Sequence, residues 1–436
     1  MKRLLFVSYY FPPSGGPGVQ RTLKFTKYLP DNGWAPTVLT VDPQYASYPD
    51  LDETLAADVA DDLAVIRTRS WDPYASYARI LGRSKDDTVG VAFVREESAG
   101  LRQRVGLWIR ANVFTPDARY GWVPFARKAA DTLYREQPFD AVLTTGPPHS
   151  THLVGRGLAR KWGVPWVADM RDPWTGIYYY PQLPMTSLAA RRDRRLEKSV
   201  LTEADAVTVV SSSMVTNLNK RVDREYVYLP NGFDPADFQK DSVPSDDRFV
   251  IRHIGTLSRT QNPKAVWSGL QSLVSSTPGD VVVELIGHVD AEIMVSLRER
   301  GLGDTVRVFP YVDHDRAVAL MQAASLLLLV IPDGDSAHEI VTGKLFEYLA
   351  SGRPTLAIGP PDGDAGTILS ECQGGRMLDH HDPKGVHSFL AEQVAAFKRG
   401  ERVVGADTSD IQQYARPAQA SALANVLDRV STPRND

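Results

Sequence analysis

An α/β fold in two halves, each built on a parallel sheet, is the architecture this chain of 436 residues predicts. Three observations carry it. Short apolar runs alternate with helix-length segments from residue 3 to residue 210. The same alternation restarts at residue 249. Between them, residues 230–247 are rich in Asp, Pro and Asn and break the periodicity, which places a domain boundary there.

Taken in order, residues 3–10 read as a buried strand, and a loop with Pro12, Pro13, Gly15, Gly16 and Gly18 follows. Residues 19–29 read as a helix with Val19, Leu23 and Tyr28 on one face, and residues 36–41 as the next strand. This βαβ opening makes a parallel sheet the expectation. Further strands are expected at 65–68, 141–144, 164–169 and 206–210, with helices at 125–136, 152–162 and 189–201. In the second half, strands are expected at 249–255, 281–286, 306–309, 326–331 and 355–358, with helices at 264–273, 291–300, 315–324 and 343–350. Residues 70–120 have weak periodicity and many arginines, among them Arg102, Arg104 and Arg110, and read as an acceptor-contacting insertion or a mobile loop. An irregular stretch precedes a terminal helix at 411–430. The predicted division is a first domain at 1–232, a linker at 233–247, a second domain at 248–410, and a C-terminal helix and tail at 411–436. Two α/β halves of similar size describe two facing Rossmann-like domains, with ligands bound at the C-terminal ends of the strands.

Bulk properties narrow the function. With 43% hydrophobic and 23% charged residues, the composition is that of a soluble globular protein. A net charge of -4 gives no global attraction to nucleic acid or to an anionic membrane. A single cysteine, Cys372, excludes an internal disulfide framework and a cysteine metal cage, and fits a cytoplasmic setting. The N-terminus does not read as a signal peptide, since the apolar run at residues 4–7 is short. No apolar run approaches the ~18 residues a membrane span needs.

The most informative segment is His338-Glu339-Ile340-Val341-Thr342-Gly343-Lys344-Leu345-Phe346-Glu347-Tyr348-Leu349-Ala350-Ser351-Gly352-Arg353-Pro354. Two glutamates eight residues apart bracket a lysine and a helix start. Gly352 and Pro354 close that helix. A helix N-terminus at a sheet edge favours phosphate. Lys344 and Glu347, three apart, share a helix face. A cation and a hydroxyl-binding carboxylate beside a helix start suit a nucleotide diphosphate joined to a sugar. The bland alternative is an ordinary solvated helix face.

Four stretches together resemble the GT-B glycosyltransferases of family 4, the retaining, nucleotide-sugar-dependent class. They are Gly15-Gly16-Pro17-Gly18, Pro147-Pro148-His149-Ser150, Asn231-Gly232-Phe233-Asp234, and the paired glutamates with Glu347-Tyr348-Leu349-Ala350-Ser351-Gly352-Arg353-Pro354. The likeness is spread over nearly the whole chain in the expected order, and the paired-glutamate element is its most specific part. It implies a GT-B fold, with the C-terminal helix crossing back to the first domain.

The resemblance assigns roles. Glu347 would accept hydrogen bonds from the donor ribose, against an ordinary first-turn glutamate. Glu339 would face the donor sugar, against a solvated loop acid. The backbone N–H groups of Ile340, Val341 and Thr342 would line the diphosphate and sugar. Lys344, with Arg259 or Lys264, would neutralise the leaving diphosphate. Family members often carry Gly-Arg-Leu where this chain has Gly255-Thr256-Leu257, so the cation is displaced along the loop. Gly15, Gly16 and Gly18 would let the first loop approach a phosphate or acceptor, against a tight turn without ligand. His149 should sit at the C-terminal edge of the first sheet, where the family places a histidine beside the donor sugar. Asp172, after the strand ending in Asp169, could orient an acceptor hydroxyl, and Trp174 could stack on a sugar. The competing reading there is an Asp169–Arg171–Asp172 salt-bridge network.

The chemistry asks little of side chains. Charge builds on a good leaving group, and stabilising it is electrostatic work. The family's front-face mechanism needs no covalent nucleophile, so the carboxylate-separation rule of hydrolases does not apply to Glu339 and Glu347. No Asp-x-Asp element of the metal-dependent class stands in place; His338 with Asp333 and Asp335 is the one weak metal candidate. No cofactor and no metal are expected. The partners expected are a nucleotide sugar and a hydroxyl-bearing acceptor, with no nucleic acid. The basic segment 191–198 reads as a membrane or anionic-acceptor contact, or as a solvated face with internal i,i+3 and i,i+4 pairs. The expected location is cytoplasmic, with peripheral contact at the inner membrane face as an extension. A nucleotide-sugar epimerase, a phosphorylase, and a non-catalytic sugar-nucleotide-binding protein are the alternatives. An oxidoreductase is disfavoured, because the G-x-G-x-x-G spacing with a later acid is missing.

Overall fold

Strands covered by helices on both faces must be apolar on both faces, and the first strand is: Leu4, Leu5, Phe6 and Val7 are all buried. The computed structural model describes residues 1–48, 51–71, 101–177, 180–238, 247–276, 278–334, 336–401 and 403–432. Most of the segment read as an acceptor-contacting insertion, residues 72–100, lies outside this set, as do 239–246 of the linker and Asp335 of the metal candidate.

The first unit comprises Met1–Pro230 with Gln419–Asp436. Its elements are β1 (Lys2–Val7), α1 (Pro17–Tyr28), β2 (Trp34–Val41), β3 (Ala64–Thr68), α2 (Leu101–Val113), α3 (Val123–Glu136), β4 (Ala141–Gly146), α4 (Ser150–Trp162), β5 (Trp166–Met170), α5 (Ser187–Glu203), β6 (Ala206–Val209), α6 (Ser212–Asn219) and β7 (Val227–Tyr228). The sheet runs β3-β2-β1-β4-β5-β6-β7. Val7 of β1 lies opposite Leu39 of β2 and Thr144 of β4, all in parallel register. The order reverses between β1 and β4, so the loops leaving those two strands diverge and leave a crevice at their C-terminal ends.

The second unit comprises Asn231–Ala418. It contains β8 (Phe249–Ile254), α7 (Lys264–Ser276), β9 (Val281–Ile286), α8 (Ala291–Glu299), β10 (Val306–Phe309), α9 (His314–Gln322), β11 (Leu326–Val330), α10 (Gly343–Ala350), β12 (Thr355–Ile358), α11 (Asp364–Glu371), β13 (Gly375–Leu378), α12 (Pro383–Lys398) and α13 (Thr408–Ile411). Its sheet runs β10-β9-β8-β11-β12-β13, again with parallel neighbours. The switch point falls between β8 and β11. The last helix, α14 (Arg416–Ser431), returns to the first unit. Its Ala420, Leu423, Ala424 and Leu427 are buried with Leu4, Phe6 and Trp34.

Several elements differ from the sequence expectation. The first strand ends at Val7, not at residue 10, because the chain turns toward Pro12 and Pro13, which have no N–H for a ladder. The stretch expected to be irregular before residue 411 holds α11, β13 and α12. The terminal helix is interrupted: α13 ends at Ile411, a single 3-10 turn follows, and α14 starts with Pro417 in its first turn. Ala415, in that break, bridges to Phe233. Among the described residues no helix is long and apolar enough to cross a membrane.

Candidate functional site

In the second unit the switch point is lined by the loops after β8 and β11. Ile254 passes its backbone N–H to the Tyr348 hydroxyl, 3.0 Å away, which ties the end of β8 to α10. Gly255 follows with φ 121°, and its N–H donates to Ile286 O at 2.7 Å. A Cβ on Gly255 would overlap the ammonium of Lys344, so that side chain lies directly over the glycine. Gly287, with φ 119°, packs equally tightly, since a Cβ there would come within 2.6 Å of Gly255 O. Two left-handed glycines side by side make room for one lysine.

Lys344 stands in the first turn of α10, where the leading backbone N–H groups have no intrahelical acceptor. Burial pushes its ammonium below the usual range, and Glu347 one turn on pulls the other way. Glu347 is pushed up by burial, against the positive charge of His314 and Arg416, while Asp237 adds to the rise. His314 itself is paired with Asp237, Nε2 to Oδ2 3.0 Å. His253, on β8, donates through Nδ1 to Leu328 O at 2.9 Å, and burial with the nearby Lys344 charge holds it down at about 4. The site therefore gathers one ammonium and one carboxylate, both costly to bury, beside a neutral histidine.

The other predicted residues divide. Thr342 is the N-cap of α10 but its hydroxyl caps nothing and is buried without a partner. Val341 packs against the core just before it. Glu339 ends a single 3-10 turn, Ala337–Glu339, on the approach to α10. The Ile340 N–H is taken by Ala337 O at 3.3 Å, so it is not free to line a ligand as the sequence suggested. Arg259 is drawn outward by Glu292, 2.9 Å away, and its side chain is 73% exposed. Lys264, at the start of α7, is exposed. Lys344, which occupies the Gly255 hollow, is the cation the structure brings to the helix start. His338 pairs with Asp362 at 3.2 Å.

In the first unit, the competing reading joined Asp169, at the end of β5, to Arg171 in a salt-bridge network, and the two form no ion pair among the described residues. Asp169 takes a bidentate contact from Arg21 of α1, Nε to Oδ2 3.1 Å and NH2 to Oδ1 2.8 Å, and hydroxyl bonds from Thr145 and Thr208, both 2.7 Å. The planar fork of Arg21 fills both carboxylate oxygens. Arg171 instead donates to Pro147 O at 2.5 Å and occupies the space left by the missing side chain of Gly18. So Gly18 accommodates an arginine, and Gly16, with φ 99°, supplies the turn into α1. Gly15 precedes it in the same loop.

His149 sits at the start of α4, after β4. Its imidazole stacks on the Trp174 indole, centroids 4.8 Å apart and planes 6° from parallel. Burial, then His152 and Arg171, hold His149 well below its usual range. Asp172 makes no hydrogen bond among the described residues, and burial raises it while Arg171 opposes the rise. Sequence reasoning missed His253, Tyr348, the Arg171–Gly18 contact and Asp193. The signal available for the last was the pair of acids inside a basic helix. Asp193 and Glu197 point inward, which removes the internal pairing expected along 191–198.

Two parallel-sheet, Rossmann-like units, each with polar residues gathered at the C-terminal ends of its strands, define the GT-B class of glycosyltransferase. The chain belongs to the glycosyl transferase 4-like family, whose model matches residues 15–232, half of the sequence. It is similar in fold to sucrose-phosphate synthase from Thermosynechococcus elongatus, with TM-score 0.60 and 14% identity over 99% of this chain and 96% of that one. A glycosyltransferase from Rickettsia africae gives TM-score 0.64 and 12% identity over 100% and 99% of the two chains. Anabaena HepE in complex with UDP-glucose gives 0.55 and 13% over 99% and 97%. No curated protein matches the sequence.

Proposed function

We propose that this glycosyltransferase moves a sugar from a nucleoside-diphosphate donor to an acceptor hydroxyl with retention of configuration, in bacterial polysaccharide, glycolipid or glycoconjugate synthesis. The single observation that carries the reading is Lys344, a half-buried ammonium with no salt-bridge partner among the described residues, seated over Gly255 beside the start of α10. A diphosphate supplies the charge it lacks. Glu347 on the same helix face takes the ribose hydroxyls, and Thr342, with its unpartnered hydroxyl, and Val341 meet the phosphates and sugar. Glu339 faces the sugar ring. Arg259 and Lys264 serve as outer cations. Gly15, Gly16, His149 and Asp172 serve the sugar and acceptor from the first unit.

In this scheme the bond from the anomeric carbon to the diphosphate oxygen breaks, and the acceptor oxygen bonds on the same face. The acceptor proton passes to the departing phosphate. Lys344 and the helix start stabilise the charge that develops there. Neither metal nor cofactor is required. HepE, which was crystallised with UDP-glucose, makes UDP-glucose the first donor to try. A thermal-shift series over UDP-, GDP-, dTDP- and ADP-sugars should show one donor raising the melting temperature of the parent protein. Glu347→Ala should weaken its binding roughly 10-fold or more, the worth of a hydrogen bond to a charged group. Equal shifts in parent and variant would overturn the ribose role; turnover of donor with no acceptor would favour an epimerase.

A peripheral membrane location at the cytoplasmic face belongs to the same proposal. Asn112 joins α2 to the approach of α5, donating to Pro184 O at 2.8 Å and accepting from the Thr186 N–H at 2.6 Å. Along these helices Trp108 is 48% exposed and Leu188 76% exposed, near the outward cations Arg191, Arg192, Arg194, Arg195 and Lys198. Flotation with vesicles rich in phosphatidylglycerol should recover the protein, less so after Arg191→Glu with Arg195→Glu; no flotation at low salt would exclude it.

A further inference from the structure

We propose that Trp174 is a positioning residue that fixes the plane of the His149 imidazole, and that Asp193 on α5 holds Trp174 in place. The inference rests on the reading of His149 as a donor-sugar contact. The His149 imidazole makes no hydrogen bond to any described residue, and its Nδ1 is buried without a partner. Its ring orientation is therefore set by packing, and the packing partner is the near-parallel indole face of Trp174.

That indole is itself clamped. Its Nε1 donates to Asp193 Oδ1 at 2.8 Å, and the Tyr180 hydroxyl donates to Asp193 Oδ2 at 2.9 Å. Both oxygens of one buried carboxylate are thus used, and the indole cannot tilt without leaving a buried acceptor unpaired. One turn along α5, Glu197 grips the next residue, accepting from the Thr175 N–H at 3.1 Å and its hydroxyl at 2.6 Å. Arg221 donates to both Glu197 oxygens, at 2.7 and 2.6 Å. Asp193 and Glu197 are four apart and share a face, so a single helix holds two consecutive residues of the segment that follows β5. A purely apolar contact would have needed neither acid. Burying two carboxylates costs free energy that only oriented hydrogen bonds offset.

The charged and titratable surroundings are these. His149 faces His152 from α4, ring centroids 6.1 Å apart, and Arg171 from the turn after β5. Asp193 faces Glu197 from its own helix and Asp117 from the segment before α3, and burial followed by these neighbours raises it to about 6. Trp174 screens the imidazole from water on one face.

The test compares Trp174→Ala, Asp193→Ala and Asp193→Asn with the parent, with histidine side-chain NMR and steady-state transfer kinetics as readouts. Asparagine still offers an acceptor to the indole. The positioning role predicts that Trp174→Ala and Asp193→Ala lower kcat by about 10- to 100-fold, as misplacement of a reacting group does, with donor KM unchanged. It predicts that the His149 signals move and begin to titrate nearer the ordinary histidine range, and that Asp193→Asn recovers most of the parent kcat and spectrum. Unchanged His149 signals in Trp174→Ala, or a higher KM with unaltered kcat, would overturn it. Should Trp174→Ala not fold, the contrast between the two Asp193 variants decides in the same way. The NMR readout needs no turnover, so a parent protein inactive with every donor would refute the functional reading while the clamp was still judged on its own.

Discussion

At Gly255 the backbone and the proposed chemistry meet in one atom that is missing. Its φ of 121° is a region open to glycine, and the Lys344 ammonium fills the volume a Cβ would need. Gly255→Ala should cost about 1–3 kcal/mol of stability through strained backbone, read by denaturant titration. It should also push Lys344 from the helix start and weaken donor binding, read by calorimetric titration. Glu347 makes a prediction with a sign. Burial raises its pKa, so the native protein keeps a proton that the unfolded chain, near 4.5, has already released. Stability then falls as pH rises from that value through the raised native one. Glu347→Gln removes this loss, so its melting temperature should exceed the parent's at neutral pH and match it below about pH 4, while donor binding weakens. Lys344 and Glu347 were legible in the sequence because three-residue spacing on a helix fixes a shared face. The Gly18–Arg171 contact was not, since it joins residues 18 and 171 and only the parallel order of β1, β4 and β5 brings them together.

Among the elements, β5 shows what a strand end can hold. Burial alone would raise Asp169, but Arg21 and the hydroxyls of Thr208 and Thr145 outweigh it and hold the carboxyl down at about 2. The stabilisation this represents is present above the ordinary value of 3.8 and is lost as pH falls from there toward 2. Asp169→Ala takes the carboxylate away from the buried Arg21 guanidinium and leaves it the carbonyls of Leu229 and Pro230, which should cost about 3–5 kcal/mol at pH 7. The gap between variant and parent in a pH series of urea midpoints should narrow below pH 4. Most strands and helices of both sheets were readable because buried parallel strands are short apolar runs. β13 was not. It begins at Gly375, φ 149°, whose backbone lies so close to Thr355 that no Cβ fits, and it continues through Arg376. An edge strand with one glycine and one arginine among four residues carries no periodic signal. α5 misled differently: a helix rich in arginine reads as solvated, yet two of its three acids, Asp193 and Glu197, face the interior and its cations face out.

The whole molecule is organised by a chain that leaves the first unit at Pro230 and comes back to it at Gln419. The sequence showed that a terminal helix exists, because its apolar positions repeat. It did not show the break at 412–415 that frees α14 from α13, since that break depends on Ala415 bridging to Phe233 and on Tyr414 packing against Phe346. The returning helix completes a core: Leu423 and Leu427 are fully buried with Leu4, Phe6 and Trp34. Asp428 adds polar anchors, accepting from Trp34 Nε1 at 3.0 Å and from Lys2 Nζ at 2.8 Å. The ion pair with Lys2 is half exposed and contributes little, so the apolar face is what matters. Leu423→Ala should cost about 2–5 kcal/mol, and Lys2→Ala well under 1 kcal/mol. Because the core that α14 completes contains no residue of the second unit, the effect should be confined. Differential scanning calorimetry of Leu423→Ala should show the transition of the first unit moved down by several degrees and that of the second in place. The donor-induced thermal shift, assigned to the second unit, should persist. A single transition that moves as a whole would mean that the two units unfold as one cooperative body, and that the helix serves both.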